Sequence, residues 1–121
     1  MVVFRKIFVL VLATTLTMFR PALADGYLTG STLLNYCVDR SDMSTQQALD
    51  YNFCTGFLTA IASASRCGNK VYGFSALVPD NAKATQLSRI IVKWLNDHPE
   101  KLHVDGAYLV ANAFQDAFPC P

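Results

Sequence analysis

From Tyr51 to Ser65 the chain reads YNFCTGFLTAIASAS, fifteen residues without a charge and without a proline. An uncharged run of that length is expected to be buried, which restricts the fold more than any other feature of the sequence. Tyr51, Cys54, Leu58, Ile61 and Ser65 recur at steps of three and four, the spacing that places side chains on one stripe of a helix. Phe53, Phe57, Ala60 and Ala64 make a second stripe. A helix that is apolar on two sides needs neighbours on both, so this run is predicted to be the central helix of a small bundle. Gly56, Ala60 and Ala64 should then admit a close-packed partner. Upstream, Ser44-Thr45-Gln46-Gln47 has the reciprocal capping pattern, in which serine satisfies an orphan amide and glutamine reaches back. The helix is therefore expected from about Thr45 to near Gly68.

The chain has 121 residues and opens with Arg5 and Lys6, thirteen uncharged residues from Ile7 to Phe19, and Ala22-Leu23-Ala24. That is the layout of a secretory signal peptide over residues 1–24, cleaved after Ala24. The apolar run falls short of the roughly twenty residues of a membrane span, and Arg20-Pro21 ends it. No cysteine follows the cleavage site to suggest lipidation. Removing Arg5, Lys6 and Arg20 turns the formal charge of +1 into −2. Such a chain has no basic surplus to attract nucleic acid or an anionic membrane.

What remains, residues 25–121, is enough for one domain with a single core, of a size that gains from covalent help. Cys37, Cys54, Cys67 and Cys120 are separated by 16, 12 and 52 residues. Zinc sites favour closer pairs such as CxxC, and no local motif makes one of the four a nucleophile with His98 or His103. In an exported chain they are read as disulfides. Sequence alone does not choose among the three pairings. The preferred one joins Cys37 to Cys54 and Cys67 to Cys120, with chain-entropy stabilisation of roughly 3 and 4 kcal/mol.

The rest is helical with one interruption. Leu28 to Val38 reads as a short helix opened by Thr29 or Ser31, with Leu33, Leu34 and Cys37 inward. Thr85 is expected to cap a helix to about Asn96, with Leu87, Ile90, Ile91, Trp94 and Leu95 inward and Ser88, Arg89 and Lys93 facing water. Pro99 suits the start of a short turn, and Asp105 the cap of a last helix burying Ala107, Val110, Phe114 and Ala117. The fold class is thus all-α, a disulfide-stapled bundle of about four to five helices. Asp97, His98, Glu100, His103 and Asp105 are read as a solvated loop with caps. The sequence holds no HExxH, GxSxG or phosphate loop, and nothing in it calls for a metal or cofactor.

Between Cys67 and Thr85, glycines 68 and 73 and Pro79 forbid a long helix, yet Val71, Tyr72, Phe74, Leu77 and Val78 make the segment apolar for a loop. Two readings follow: a lid folded back on the core, or a contact surface for a partner. In the second, Tyr72 and Phe74 enter a concave site on the partner, Leu77 adds apolar area, and Lys70 and Asp80 form the rim.

The order Leu33-Leu34-x-x-Cys37, Cys54-x-Gly56-Phe57-Leu58, Trp94-Leu95-x-x-His98-Pro99-Glu100, Leu109-Val110-x-x-Ala113-Phe114 and Phe118-Pro119-Cys120-Pro121 resembles the Rap/Tai family of type VI secretion immunity proteins. The chain departs from that pattern at Leu77, where the family commonly has a cysteine, and at Ala60 and Ser63, where many members have Gly and Asp. The resemblance implies a periplasmic, non-enzymatic helical protein, homodimeric, that binds a peptidoglycan-cleaving amidase toxin and blocks its active site. The alternative from another class is a general periplasmic stress or chaperone-like protein that binds many clients through exposed apolar surface.

Overall fold

Four α-helices follow one another in the computed structural model of the chain, which describes residues 28–121. They are α1 (Gly30–Cys37), α2 (Thr45–Ala64), α3 (Ala84–Asp97) and α4 (Gly106–Ala117), with a 3-10 turn at Pro99–Lys101 between the last two. The described residues contain isolated β-bridges but no named strand. The all-α bundle expected from periodicity is the fold observed. The predicted signal peptide lies outside the described residues.

The helix starts follow from local chemistry. Thr29 accepts a hydrogen bond from the Thr32 amide, and the next amides of α1, on Gly30 and Ser31, donate to the carbonyls of Val104 and Leu102 at 3.0 and 2.9 Å. The orphan donors of α1 are thus taken up by the segment that leads into α4. Ser44 and Gln47 form the complete capping box at the start of α2, with bonds of 3.2 and 2.9 Å. Asp105 caps α4 through the Ala107 amide at 2.8 Å. The start of α3 differs from expectation: Lys83, not Thr85, holds the cap position, and it makes no side-chain cap bond.

α2 also stops sooner than Gly68. The Ser65 amide and hydroxyl both bond the Ile61 carbonyl, at 2.9 and 2.7 Å, while the Ser65 carbonyl accepts from the Ala76 amide at 2.8 Å. Ser65 is thereby turned from helix to loop pairing, and Gly68, at φ +96°, belongs to the next turn.

The core forms where the four helices meet. Leu33, Leu58, Ile91, Leu95, Leu109 and Phe114 are fully buried, and α2 packs on α1, α3 and α4. Two disulfides staple this core, Cys37–Cys54 with Cα atoms 5.3 Å apart and Cys67–Cys120 at 5.9 Å. The first lies inside and clamps α1 to α2; the second ties the end of the central helix to the tail. Ser88, expected to face water, is buried instead. Its hydroxyl donates to the Thr85 carbonyl at 2.8 Å and accepts from the Tyr51 hydroxyl at 3.1 Å, which satisfies both groups inside the α2–α3 contact. Ala117, expected inward, is exposed at the end of α4.

The larger correction concerns the second stripe of α2. The first stripe faces the core as expected, with Cys54, Leu58 and Ser65 fully buried. Of the second, Phe57 is partly buried against the core, but Phe53 is 52 % exposed, and Ala60 and Ala64 lie on the surface. No heavy atom comes within 4 Å of where a Cβ on Gly56 would sit. The helices that pack on α2 thus leave Gly56, Ala60 and Ala64 uncovered, and of the described aromatic rings Phe53 meets only Tyr36 of α1, edge-on, and Phe57 of its own helix, stacked.

Candidate partner-binding surface

The segment between α2 and α3 is fastened by backbone bonds rather than by a helix. Val71 and Phe74 exchange both of their amide–carbonyl bonds, each at 2.9 Å, around Tyr72 at φ 51° and Gly73 at φ 84°. Two left-handed residues in succession make a two-residue hairpin turn whose first position normally takes Asn, Asp or Gly. A tyrosine there costs on the order of 1 kcal/mol. The turn persists because its flanks are held. Phe74 packs edge-on against Tyr108 of α4 with ring centroids 5.2 Å apart, the Ser75 amide donates to Gln115 at 3.3 Å, and the Leu77 amide donates to the Phe118 carbonyl at 2.8 Å. Ala76 between them is fully buried, and Val78 packs on the core.

Of the five residues predicted to meet a partner, Phe74 is half-buried in this way, and the other four lie outward. Tyr72 is 56 % exposed although its hydroxyl donates to Asp105 at 3.2 Å and its ring meets Tyr108 edge-on. Leu77 is 55 % exposed. Lys70 is exposed, and Asp80 accepts from Arg66 at 2.8 Å. Arg66 and Asp80 span a groove whose walls are Thr59 and Ser63 of α2 on one side and Val78 and Pro79 on the other. A second cavity, lined by Cys67, Ala76 and Leu77, shares Arg66, Val78, Pro79 and Asp80 with it. An ion pair this open contributes no more than about 1 kcal/mol, so a ligand group could displace it at small cost.

The polar run near the end of α3 does not converge on one point. Asp97 pairs with Lys93 at 2.7 Å, and that bond and charge hold its carboxyl below the ordinary value of 3.8. His98 stacks on Trp94 with centroids 4.0 Å apart, and its Nδ1 lies 2.7 Å from the Trp94 carbonyl. A carbonyl only accepts, so Nδ1 carries the proton. Trp94 donates to Asp116 at 2.8 Å, and Asp105 is occupied with the cap of α4. Among the described residues no three His, Cys, Asp or Glu side chains are grouped to hold a metal ion.

A surface that sequence reasoning missed lies on the far side of α2. Tyr36 of α1 meets Phe53 edge-on at 5.9 Å, and Phe53 stacks on Phe57 at 6.0 Å, forming an aromatic row. Leu49, 58 % exposed, continues it. The absence of charge from Tyr51 to Ser65 is the signal of this face, and the same absence of charge also signals burial, so the sequence does not separate the two.

The fold is a small disulfide-stapled helical domain with two exposed apolar surfaces. Residues 29–120 match the Rap1a immunity proteins, and the chain belongs to that family. It is therefore an immunity protein of the type VI secretion kind, a class that binds a cognate toxin protein and is generally non-enzymatic. No curated protein matches the chain. The family and the two disulfides are consistent with a periplasmic location. No helix among the described residues is long and apolar enough to cross a membrane.

Proposed function

We propose that the protein is exported, cleaved after Ala24, and folds over residues 25–121 as one periplasmic domain that works as a homodimer. There it binds a peptidoglycan amidase toxin and occludes its active site with the loop bearing Lys70, Tyr72, Phe74, Leu77 and Asp80. The observation that carries this reading is Tyr72, held at φ 51° on the tip of a hairpin that α4 and the tail fasten from behind. A costly turn that displays an aromatic side chain is the pattern of a contact residue, since strain of this kind persists where function requires it. Because the flanks are fixed, little loop entropy is lost on binding, and an aromatic tip buries much area at modest cost. Phe74 anchors the hairpin from inside, Tyr72 and Leu77 supply the apolar contact, and Lys70 and Asp80 set register at the rim.

Co-expression with periplasmic amidase toxins, scored by survival, tests the reading. Protection is expected from the wild type, and a Tyr72→Ala/Leu77→Ala variant that retains its melting temperature should lose it. Full protection by that folded variant would falsify the occlusion mechanism. Failure of the wild type to protect against any amidase, with protection against another toxin class, would remove the amidase assignment.

A further inference from the structure

We infer that the Cys67–Cys120 bridge is a thiol-exchange site that controls the loop: a dithiol attacks the Cys67 sulfur, Cys120 leaves, and the segment bearing Tyr72 and Leu77 loses its tie to the tail. The inference rests on the loop reading above and adds its regulation. The two disulfides differ in access. Cys37 and Cys54 are 1 % and 0 % accessible, sealed within the core, whereas Cys67 is exposed and Cys120 half-buried. Exchange requires an attacking thiolate to reach a sulfur, so a reductant meets one bridge and not the other. Cys67 also lines the cavity that holds Arg66 and Leu77, a recess in which an incoming group can sit.

The surroundings of the bridge set the direction of attack. The Ser75 hydroxyl lies 3.6 Å from Cys120 Sγ, and since a disulfide sulfur carries no hydrogen, the hydroxyl is the donor. That donor supports the negative charge that develops on Cys120 as it leaves. The dithiol's first thiolate bonds to Cys67 Sγ; the bond between Cys67 and Cys120 breaks, and its electron pair departs on Cys120, which takes up a proton. The second thiolate then attacks the sulfur of its own molecule in the mixed disulfide and expels Cys67, which is protonated in turn. Two electrons and two protons pass to the bridge, and the dithiol becomes a disulfide. The tail depends on the bridge. Pro119 and Pro121 have no N–H, so of the residues after Phe118 only Cys120 has an amide to donate. The Leu77 amide bonds the Phe118 carbonyl at 2.8 Å, and Phe118 is the cap at the end of α4. Without the bridge that carbonyl sits at an untied helix end, which frays and lets Leu77 go. The core keeps its own disulfide, so the change is local.

The experiment titrates the purified mature protein with dithiothreitol under native conditions, blocks free thiols with N-ethylmaleimide, and maps them by peptide mass. Cys67 and Cys120 are expected to be labelled at least about tenfold faster than Cys37 and Cys54, with helix content unchanged. Equal rates, or helix loss in step with the labelling, overturn the inference. In the half-reduced protein the Leu77 amide should exchange its hydrogen at least about tenfold faster while amides within α3 stay protected. Unchanged exchange at Leu77 overturns the link between bridge and loop. With glutathione, a monothiol, the mixed disulfide is expected on Cys67, and one on Cys120 overturns the direction of attack. None of these measurements involves a toxin, so their failure leaves the occlusion reading standing. Against a toxin that the oxidised protein inhibits, the half-reduced form should bind at least about fivefold more weakly and recover on reoxidation. Full inhibition by a form whose loop is shown to be released would instead overturn occlusion by the loop together with the switch.

Discussion

Tyr72 combines a cost with a display. Its left-handed backbone opposes folding by roughly 1 kcal/mol, while its ring contact with Tyr108 returns roughly 0.5–1.5 kcal/mol. Tyr72→Asn should remove both, leaving the melting temperature nearly unchanged while toxin inhibition weakens by more than ~1 kcal/mol. Thermal melts and inhibition titrations on the same sample check the two halves separately. Asp97 offers a second measurement. Its carboxyl is held down by the Lys93 hydrogen bond and charge, so Lys93→Ala should raise its midpoint toward 3.8 in an NMR titration. The sign follows from a depressed folded value: the pair's contribution is present above the unfolded value and is lost as pH falls through the folded one. The side chain lies open to water, so no measurable change in stability is expected from it. Ser88 shows the reach of residue-level reading. Its polarity predicted exposure, but Tyr51 is its partner 37 positions away, and a bond of that range leaves no local trace.

At the scale of elements, much was legible. The capping box fixed the start of α2, and Asp105 the start of α4, because both signals reside within three residues of the helix they open. The end of α2 was not legible, since it depends on Ala76 reaching back to the Ser65 carbonyl. The second stripe of α2 holds at Phe57 and fails at Phe53, Ala60 and Ala64 for a related reason: periodicity tells which residues share a stripe but not how many neighbours stand around the helix. For the candidate surface, loop composition pointed to Tyr72 and Leu77 as unusual, whereas the hairpin that presents them depends on contacts with α4. The junction between α1 and α4 yields another test. A Cβ on Gly106 would lie 2.8 Å from the Leu28 carbonyl oxygen, a backbone atom that cannot rotate away. Gly106→Ala is expected to destabilise the protein by ~1–3 kcal/mol in a denaturant titration, despite alanine's better helix propensity. An equally stable variant would show that the α1–α4 junction is looser than described.

For the whole molecule, stability rests on a small core with two covalent ties. The Cys37–Cys54 bridge closes a loop of 17 residues and should contribute about 3 kcal/mol, a large share of what a domain of this size possesses. Replacing both cysteines by serine is expected to lower the denaturation midpoint markedly while leaving helix content intact at low temperature; an unchanged midpoint would count against the entropic account. The pairing has a further consequence for biogenesis. Taken in chain order, the first cysteine is bonded to the second and the third to the fourth. For a chain threaded through a translocon with its amino end leading, an oxidase that couples thiols as they emerge makes the native pattern directly. No shuffling step is required. The yield of correctly oxidised protein should therefore be insensitive to loss of a disulfide isomerase and sensitive to loss of the oxidase. Comparison of the two deletion hosts by non-reducing electrophoresis decides it, with scrambled species in the isomerase-deficient host as the contrary result.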